Sequence, residues 1–289
     1  MEISTNIIVT GANGQLGSEI KKEASNFPHF NFIFTDYQEL DITNASNVDE
    51  FININKPIFL INCAAYTAVD KAEQEEAKAN QLNAIAPKIL AETCKKYGVK
   101  LIHISTDYVF DGKANTPYNE DAQVNPLSVY GNTKLIGEQN VIQSGVGMVI
   151  RTSWLYSAYG NNFVKTILKH ASSKPALNVV FDQTGTPTWA NDLAKAVLEI
   201  VKQGPENFKP QVFHYSNEGV CSWYDFAHEI VELSKINCTI NPIETKDYPT
   251  LAVRPQYSVM NKQKIRNLYN VKVPYWRLSL IECLKQLGQ

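Results

Sequence analysis

A chain of 289 residues is long enough to bury a large core, as one large domain or two modest ones. Charged residues make up 19% and apolar ones 44%, with a formal net charge of −2, which excludes a polybasic nucleic-acid surface and an acidic tail and leaves any anionic ligand to a local device. Five cysteines (Cys63, Cys94, Cys221, Cys238 and Cys283) show no close pair and no metal-ligand spacing, so free thiols in a reducing cytoplasm are expected and a metal site is not.

The start of the chain carries Glu2 and reaches a glycine turn at Gly11, which leaves no apolar core of signal-peptide length. No later stretch approaches the roughly 18 uncharged apolar residues of a membrane span. A cytoplasmic protein without membrane or nucleic-acid partners is the expectation. Ile3 to Val9 reads as a buried first strand, and a helix is predicted from the Gly11–Gly17 turn to about Ser25. The turn itself, Thr10-Gly11-Ala12-Asn13-Gly14-Gln15-Leu16-Gly17, has G-x-x-G-x-x-G spacing between strand and helix. Glycines there permit positive φ and close approach of a pyrophosphate, and the helix N-terminus offers unpaired N–H groups, so Gly11, Gly14, Gln15 and Leu16 are candidate cofactor contacts.

Phe30 to Phe34 is the second predicted strand, closed by Asp36. An acid at that place accepts hydrogen bonds from an adenosine ribose and disfavours a 2′-phosphate, which tilts the cofactor modestly toward NADH over NADPH. Asp41-Ile42-Thr43 reads as an adenine-contacting turn, or equally as helix initiation. A third strand, Ile58 to Asn62, leads into Cys63-Ala64-Ala65-Tyr66, where small residues let a flat cofactor lie close to the backbone at Ala64, Ala65 and Tyr66. Lys71 to Tyr97 is helix-prone throughout, Lys100 to Ile104 is a fourth strand, and Met148 to Ile150 is another. Between them, Tyr130 and Lys134 stand four apart on a helix and project to one face, where the ammonium is expected to stabilise an ionised phenol. The turn-rich stretch from Asp111 to Pro126 has the character of a loop that closes beside a site. Helices are predicted at Phe163–Ala171, Asn191–Val201 and Tyr224–Leu233, among short strands and many prolines.

The alternation predicts an α/β fold: a Rossmann-type doubly wound parallel sheet in residues 1–152, and a smaller, mixed α/β substrate lobe in residues 153–289, some of whose segments return to the first domain. There is no internal repeat or heptad array, which disfavours a scaffold.

The quoted segments, with Ala64 to Glu73, Ser105-Thr106-Asp107-Tyr108-Val109-Phe110-Asp111-Gly112, Tyr130-Gly131-Asn132-Thr133-Lys134, Arg151-Thr152-Ser153-Trp154 and Asp182-Gln183-Thr184-Gly185-Thr186-Pro187-Thr188, resemble the dTDP-4-dehydrorhamnose reductase family of extended short-chain dehydrogenase/reductases over nearly the whole chain. The resemblance implies reduction of the 4-keto group of dTDP-4-dehydro-β-L-rhamnose by NAD(P)H. A ketone that gains hydride needs a proton donor and hydrogen bonds where negative charge develops. Tyr130 is the expected donor. Thr106 would bond the same oxygen, with Asp107 beside the substrate. By resemblance Lys134 would hold the nicotinamide ribose and Trp154 would face the deoxysugar. Asn161, Asn162, Phe163 and Arg254 are weaker candidates for the nucleotide end. Some relatives pair two glutamates around a magnesium ion at a dimer interface. Here Glu19 fits the first place and Asn191 the second, so no metal is expected, and the chain is expected as a monomer or homodimer. Two rival readings share the motifs. A dehydratase or epimerase shares the fold and the Tyr/Lys pair, but dehydratases of the superfamily usually carry Glu where Tyr108 stands. A regulatory subunit similar to the methionine adenosyltransferase beta subunit would have no need to retain Thr106, Tyr130 and Lys134 together.

Overall fold

The computed structural model describes residues 5–289. The predicted first strand therefore begins partly outside the described residues, at Ile3; the observed β1 is Asn6–Thr10. It is followed by α1 (Gln15–Glu23), β2 (Asn31–Thr35), α2 (Ala45–Asn55), β3 (Phe59–Asn62), the short α3 (Val69–Ala72) and α4 (Glu76–Asn80), α5 (Ala86–Tyr97), β4 (Lys100–Thr106), α6 (Val129–Gln143) and β5 (Gly147–Thr152). The later part holds β6 (Leu155–Tyr156), α7 (Phe163–Ala171), β7 (Ala176–Val180), β8 (Thr184–Gly185), β9 (Thr188–Trp189), α8 (Ala190–Lys202), β10 (Val212–His214), β11 (Cys221–Ser222), α9 (Trp223–Leu233), β12 (Thr239–Ile243), α10 (Gln263–Tyr269) and α11 (Trp276–Gln286).

Six strands form one parallel sheet in the order β10-β5-β4-β3-β1-β2. Successive side chains of a strand point to opposite faces, so Ile7 and Val9 join the core under α1, α8 and α10, while Ile8 joins the core under α2, α5 and α6. This is the doubly wound arrangement expected. The chain runs from β1 outward to β2 and then back across to β3, so the strand order reverses between β1 and β3, and a crevice opens at their carboxyl ends.

The stretch Lys71 to Tyr97 is not one helix. It breaks into α3, α4, a π-helical turn at Gln81–Ile85 and α5. Pro87 supplies a physical reason, because it has no N–H to give the Asn83 carbonyl one turn earlier. Helix α6 comes up against that carbonyl at Gly137, where a Cβ would lie 2.0 Å from the Asn83 oxygen.

A second core gathers α7, α9 and α11 around Phe226, Trp189 and Trp276, with three two-stranded pairings: β6 with β9, β7 with β12, and β8 with β11. Short β10 crosses back to the large sheet beside β5, and α8 and α10 pack on that sheet as well. Among the described residues no helix is long and apolar enough to cross a membrane. All five cysteines are free thiols.

Candidate active site

The crevice at the strand reversal is a cleft of about 940 Å³. Gly11, at φ +65°, starts its floor. A Cβ there would sit 2.6 Å from the Ala64 nitrogen, so the turn after β1 and the segment after β3 meet backbone to backbone. Gly17 is equally constrained, its would-be Cβ lying 2.4 Å from the Gly11 carbonyl oxygen. At Gly14 the protein's own crowding is milder, 3.2 Å to that same oxygen. Gly14 is also the N-cap of α1 and brings no side chain to cap it, so first-turn N–H groups are available to an anion. An open glycine beside uncapped amide groups fits a dinucleotide pyrophosphate.

Gly11, Gly14, Gln15, Leu16, Asp36, Asp41, Ile42, Ala64 and Ala65 all line the cleft. Asp36 accepts the backbone N–H of Asn13 at 3.0 Å and of Tyr37 at 2.8 Å, which ties the glycine turn to the end of β2. The Asp41 carboxylate accepts both the amide and the hydroxyl of Thr43. Tyr66 is different: it stands outside the lining, its backbone bonded to the Asn83 side chain and its phenol to Glu75 at 2.8 Å.

The other end of the cleft is built by β4 and α6. Thr106 closes β4 and donates to Asp107 at 3.0 Å. Ser128 caps α6 by accepting the Gly131 N–H, which places Tyr130 in the first turn. Gly131 is required by packing, since a Cβ would lie 2.3 Å from the Tyr108 carbonyl. The Tyr108 ring meets Tyr130 edge to face at 5.4 Å. Thr106, Asp107, Tyr108, Tyr130, Lys134 and Trp154 thus face the same cleft as the glycine turn.

The electrostatics depart from the sequence expectation. Burial pushes the Tyr130 phenol up to about 12; the Thr106 hydrogen bond works against the rise and the Asp107 charge adds to it. Lys134 is pulled down to about 8 by burial, opposed by Glu138. Its Nζ donates to the Ile104 carbonyl at 2.6 Å, on β4, rather than bracing the phenol. Asp107 is raised to about 6, again by burial. The site therefore presents a protonated phenol, suited to donating a proton at neutral pH.

Trp154 has φ +49°, a strained conformation for a bulky residue that costs about 1–3 kcal/mol. Its ring stacks on Trp223 at 3.6 Å and is also crowded by Gly185, which fixes its place at the cleft. Asn161 lines the cleft, whereas Asn162 caps α7 and bonds Gln15 at 3.1 Å. Arg254 forms a two-pronged pair with Asp70, which joins the C-terminal segment to α3. The Asp111–Pro126 loop is stitched down by Tyr118, whose N–H donates to Val259 and whose ring stacks on Phe110 at 4.1 Å. Asn191 donates to both Glu19 and Glu23. Among the described residues no group of three or more His, Cys, Asp or Glu is placed to hold a metal ion.

Three buried polar residues behind the cleft lining escaped the sequence reading: Asn62, Asn83 and His103. Each sits inside an apolar run or a helical pattern, and only cross-strand register shows Asn62 opposite both Thr10 and His103.

Sheet, glycine turn and Thr/Tyr/Lys trio together define a dinucleotide-dependent oxidoreductase of the extended short-chain dehydrogenase/reductase class. The chain belongs to the family described as the RmlD substrate binding domain, whose model matches residues 5–289. It is 38% identical to a dTDP-4-dehydrorhamnose reductase of Aggregatibacter actinomycetemcomitans, over 95% of this chain and 96% of the relative. Its structure is similar to the crystal structure of a dTDP-4-dehydrorhamnose reductase of Clostridium acetobutylicum, with TM-score 0.93 and 44% identity, over 98% of this chain and 100% of the other. It is also similar to dTDP-4-dehydrorhamnose reductase of Bacillus anthracis in complex with NADP, with TM-score 0.92 and 35% identity, over 98% and 100%.

Proposed function

We propose that this protein reduces the C4 keto group of dTDP-4-dehydro-β-L-rhamnose to give dTDP-β-L-rhamnose, the last step of dTDP-rhamnose biosynthesis, with NADH or NADPH. The observation that carries the reading is one cleft holding, at one end, a glycine turn with an uncapped helix start and, at the other, Thr106, Tyr130 and Trp154. Full-length similarity to reductases of that substrate supports it.

Gly11, Gly14, Gln15 and Leu16 would hold the pyrophosphate, Asp36 the adenosine ribose, Asp41 and Ile42 the adenine, and Ala64 and Ala65 the flat path between, with Tyr66 supporting that path through its backbone. Bound NAD(P)H supplies a hydride. Tyr130 gives its proton to the C4 oxygen as charge grows there, and burial keeps that proton in place until an alkoxide demands it. Thr106 turns its single hydroxyl proton from Asp107, where it rests, to the same oxygen, and Trp154 covers the deoxysugar. Lys134 holds the cofactor ribose. Residues 1–152 are the dinucleotide domain and 153–289 mainly the substrate lobe, with β10, α8 and α10 returning to the sheet. The working form is a cytoplasmic monomer or homodimer.

Incubating the purified protein with dTDP-4-dehydrorhamnose should consume nicotinamide absorbance and yield dTDP-rhamnose by chromatography. No oxidation of NADH or NADPH would overturn the reading. Asp36→Ala should lower the ratio of NADH to NADPH efficiency, because the carboxylate that repels a 2′-phosphate is gone. An unchanged ratio would show that Asp36 serves only the turn it ties to Asn13.

A further inference from the structure

Thr10, Asn62 and His103 are cross-strand partners on β1, β3 and β4, and all three are buried. They form one row of polar side chains across the carboxyl end of the sheet, ending at Lys134. The row has a direction that can be read atom by atom. Asn62 Oδ1 lies 3.1 Å from the Ala64 backbone nitrogen, which can only donate, and also accepts the Thr10 hydroxyl at 2.7 Å. That fixes which end of the amide is oxygen, so Asn62 Nδ2 faces His103 Nδ1, 3.0 Å away, and must donate to it. Burial keeps the imidazole neutral, holding its pKa well below the ordinary value. Its single proton then has to be on Nε2, and Nε2 is 3.5 Å from Lys134 Nζ.

We propose that His103, with its tautomer locked by Asn62, is a positioning residue that favours the neutral amine of Lys134 and rests it against β4, so that protonation of Lys134 releases its side chain toward the cleft. The argument is a matter of lone pairs. An ammonium has no acceptor, so it meets the His103 N–H proton against proton. A neutral amine accepts that N–H while still donating to the Ile104 carbonyl at 2.6 Å. The other titratable groups facing Lys134 do not supply this discrimination. Glu138, one turn further along α6, favours the ammonium but is itself held by Arg151; Cys63, after β3, acts weakly and is pushed up by burial to about 12; and Tyr130 is a buried neutral phenol on the same helix face. His103 is the neighbour that opposes the charge through a directed proton. The inference deepens the reductase reading, in which Lys134 holds the cofactor ribose: the row through Asn62 would couple the backbone after β3, where the cofactor path runs, to the charge on that lysine.

The test is NMR of the protein with ¹⁵N-labelled histidine and ¹³Cε-labelled lysine, without substrate or cofactor. In the wild type, His103 should show a protonated Nε2 and a bare Nδ1, and should stay neutral where an ordinary imidazole titrates. Asn62→Asp should swap the tautomer, since a carboxylate accepts from Nδ1–H, and His103→Gln can turn an oxygen toward Nζ. Both should raise the Lys134 titration by at least about one pH unit, a tenfold change in proton affinity. The alkaline limb of kcat/KM should move by the same amount. A proton on Nδ1 in the wild type, or a Lys134 titration that does not move in either variant, would overturn the proposal. The wild-type tautomer can overturn the proposal even if a variant does not fold, and either variant that folds tests the Lys134 titration. An inactive protein showing the expected tautomer would count against the reductase reading and leave this one standing.

Discussion

Tyr130→Phe should lower turnover by about 10²–10⁴-fold, the range supplied by a positioned proton donor. The phenol is buried against the Tyr108 ring with Thr106 as a hydrogen-bond partner of its oxygen, so removal of one atom leaves the packing of α6 on β4 intact. Cofactor affinity should therefore stay within a few-fold of wild type when titrated by nicotinamide fluorescence, and the loss should fall on kcat rather than KM. Thr106→Val is expected to act on the same oxygen and to cost about 10²–10³-fold, as loss of a single hydrogen-bond donor to a developing anion does. Because both groups serve one oxygen, the double variant should be less than additive. Turnover of Tyr130→Phe within tenfold of wild type would remove the phenol from the chemistry and return attention to Asp107, whose raised pKa of about 6 makes it the alternative donor in the cleft.

Sequence alone carried the first half of the fold because its signals are local. A parallel strand buried on both faces is an uninterrupted apolar run, and Ile7 to Val9, Phe59 to Ile61 and Leu101 to Ile102 read that way. The glycine turn is legible for a related reason: Gly11 and Gly17 answer to backbone contacts within the turn and with its nearest neighbour, Ala64. The site was harder wherever a residue's role depends on register. Asn62 and His103 directly follow two of those apolar runs, and nothing in spacing shows that they face each other. The pairing of Tyr130 with Lys134 was read from helix geometry, which correctly puts both on one face, yet the lysine side chain runs to the Ile104 carbonyl because β4 passes directly beneath. The break at Gln81–Ile85 was hidden by good helix formers on both sides, and only Pro87 hinted at it. Arg254 illustrates the same limit at long range: its partner Asp70 is 184 residues away.

The largest effect on stability is expected from Arg151→Met. Arg151 on β5 and Glu138 on α6 are nearly fully buried, with side-chain exposures of 5% and 3%, and are joined by contacts of 3.0, 3.1 and 2.7 Å. The guanidinium also lies over the Phe110 ring, 5.1 Å from its centre. A buried pair of this kind adds little net stability over apolar residues of the same volume, because both charges were taken out of water to form it. Removing one partner is another matter, since the remaining carboxylate has lost the cation hydrogen-bonded to it and keeps its desolvation cost. Arg151→Met should destabilise the protein by about 3–5 kcal/mol in urea unfolding, with the slope unchanged. Glu138→Leu combined with Arg151→Met should recover most of that loss, and a single variant costing less than about 1 kcal/mol would show that water reaches the pair as it reaches surface salt bridges. The consequence extends to the site, because Glu138 stands one turn from Lys134 and favours its ammonium. With Arg151 gone, an unneutralised Glu138 should strengthen the lysine's hold on its proton, so the single variant should raise the Lys134 titration where the double variant does not.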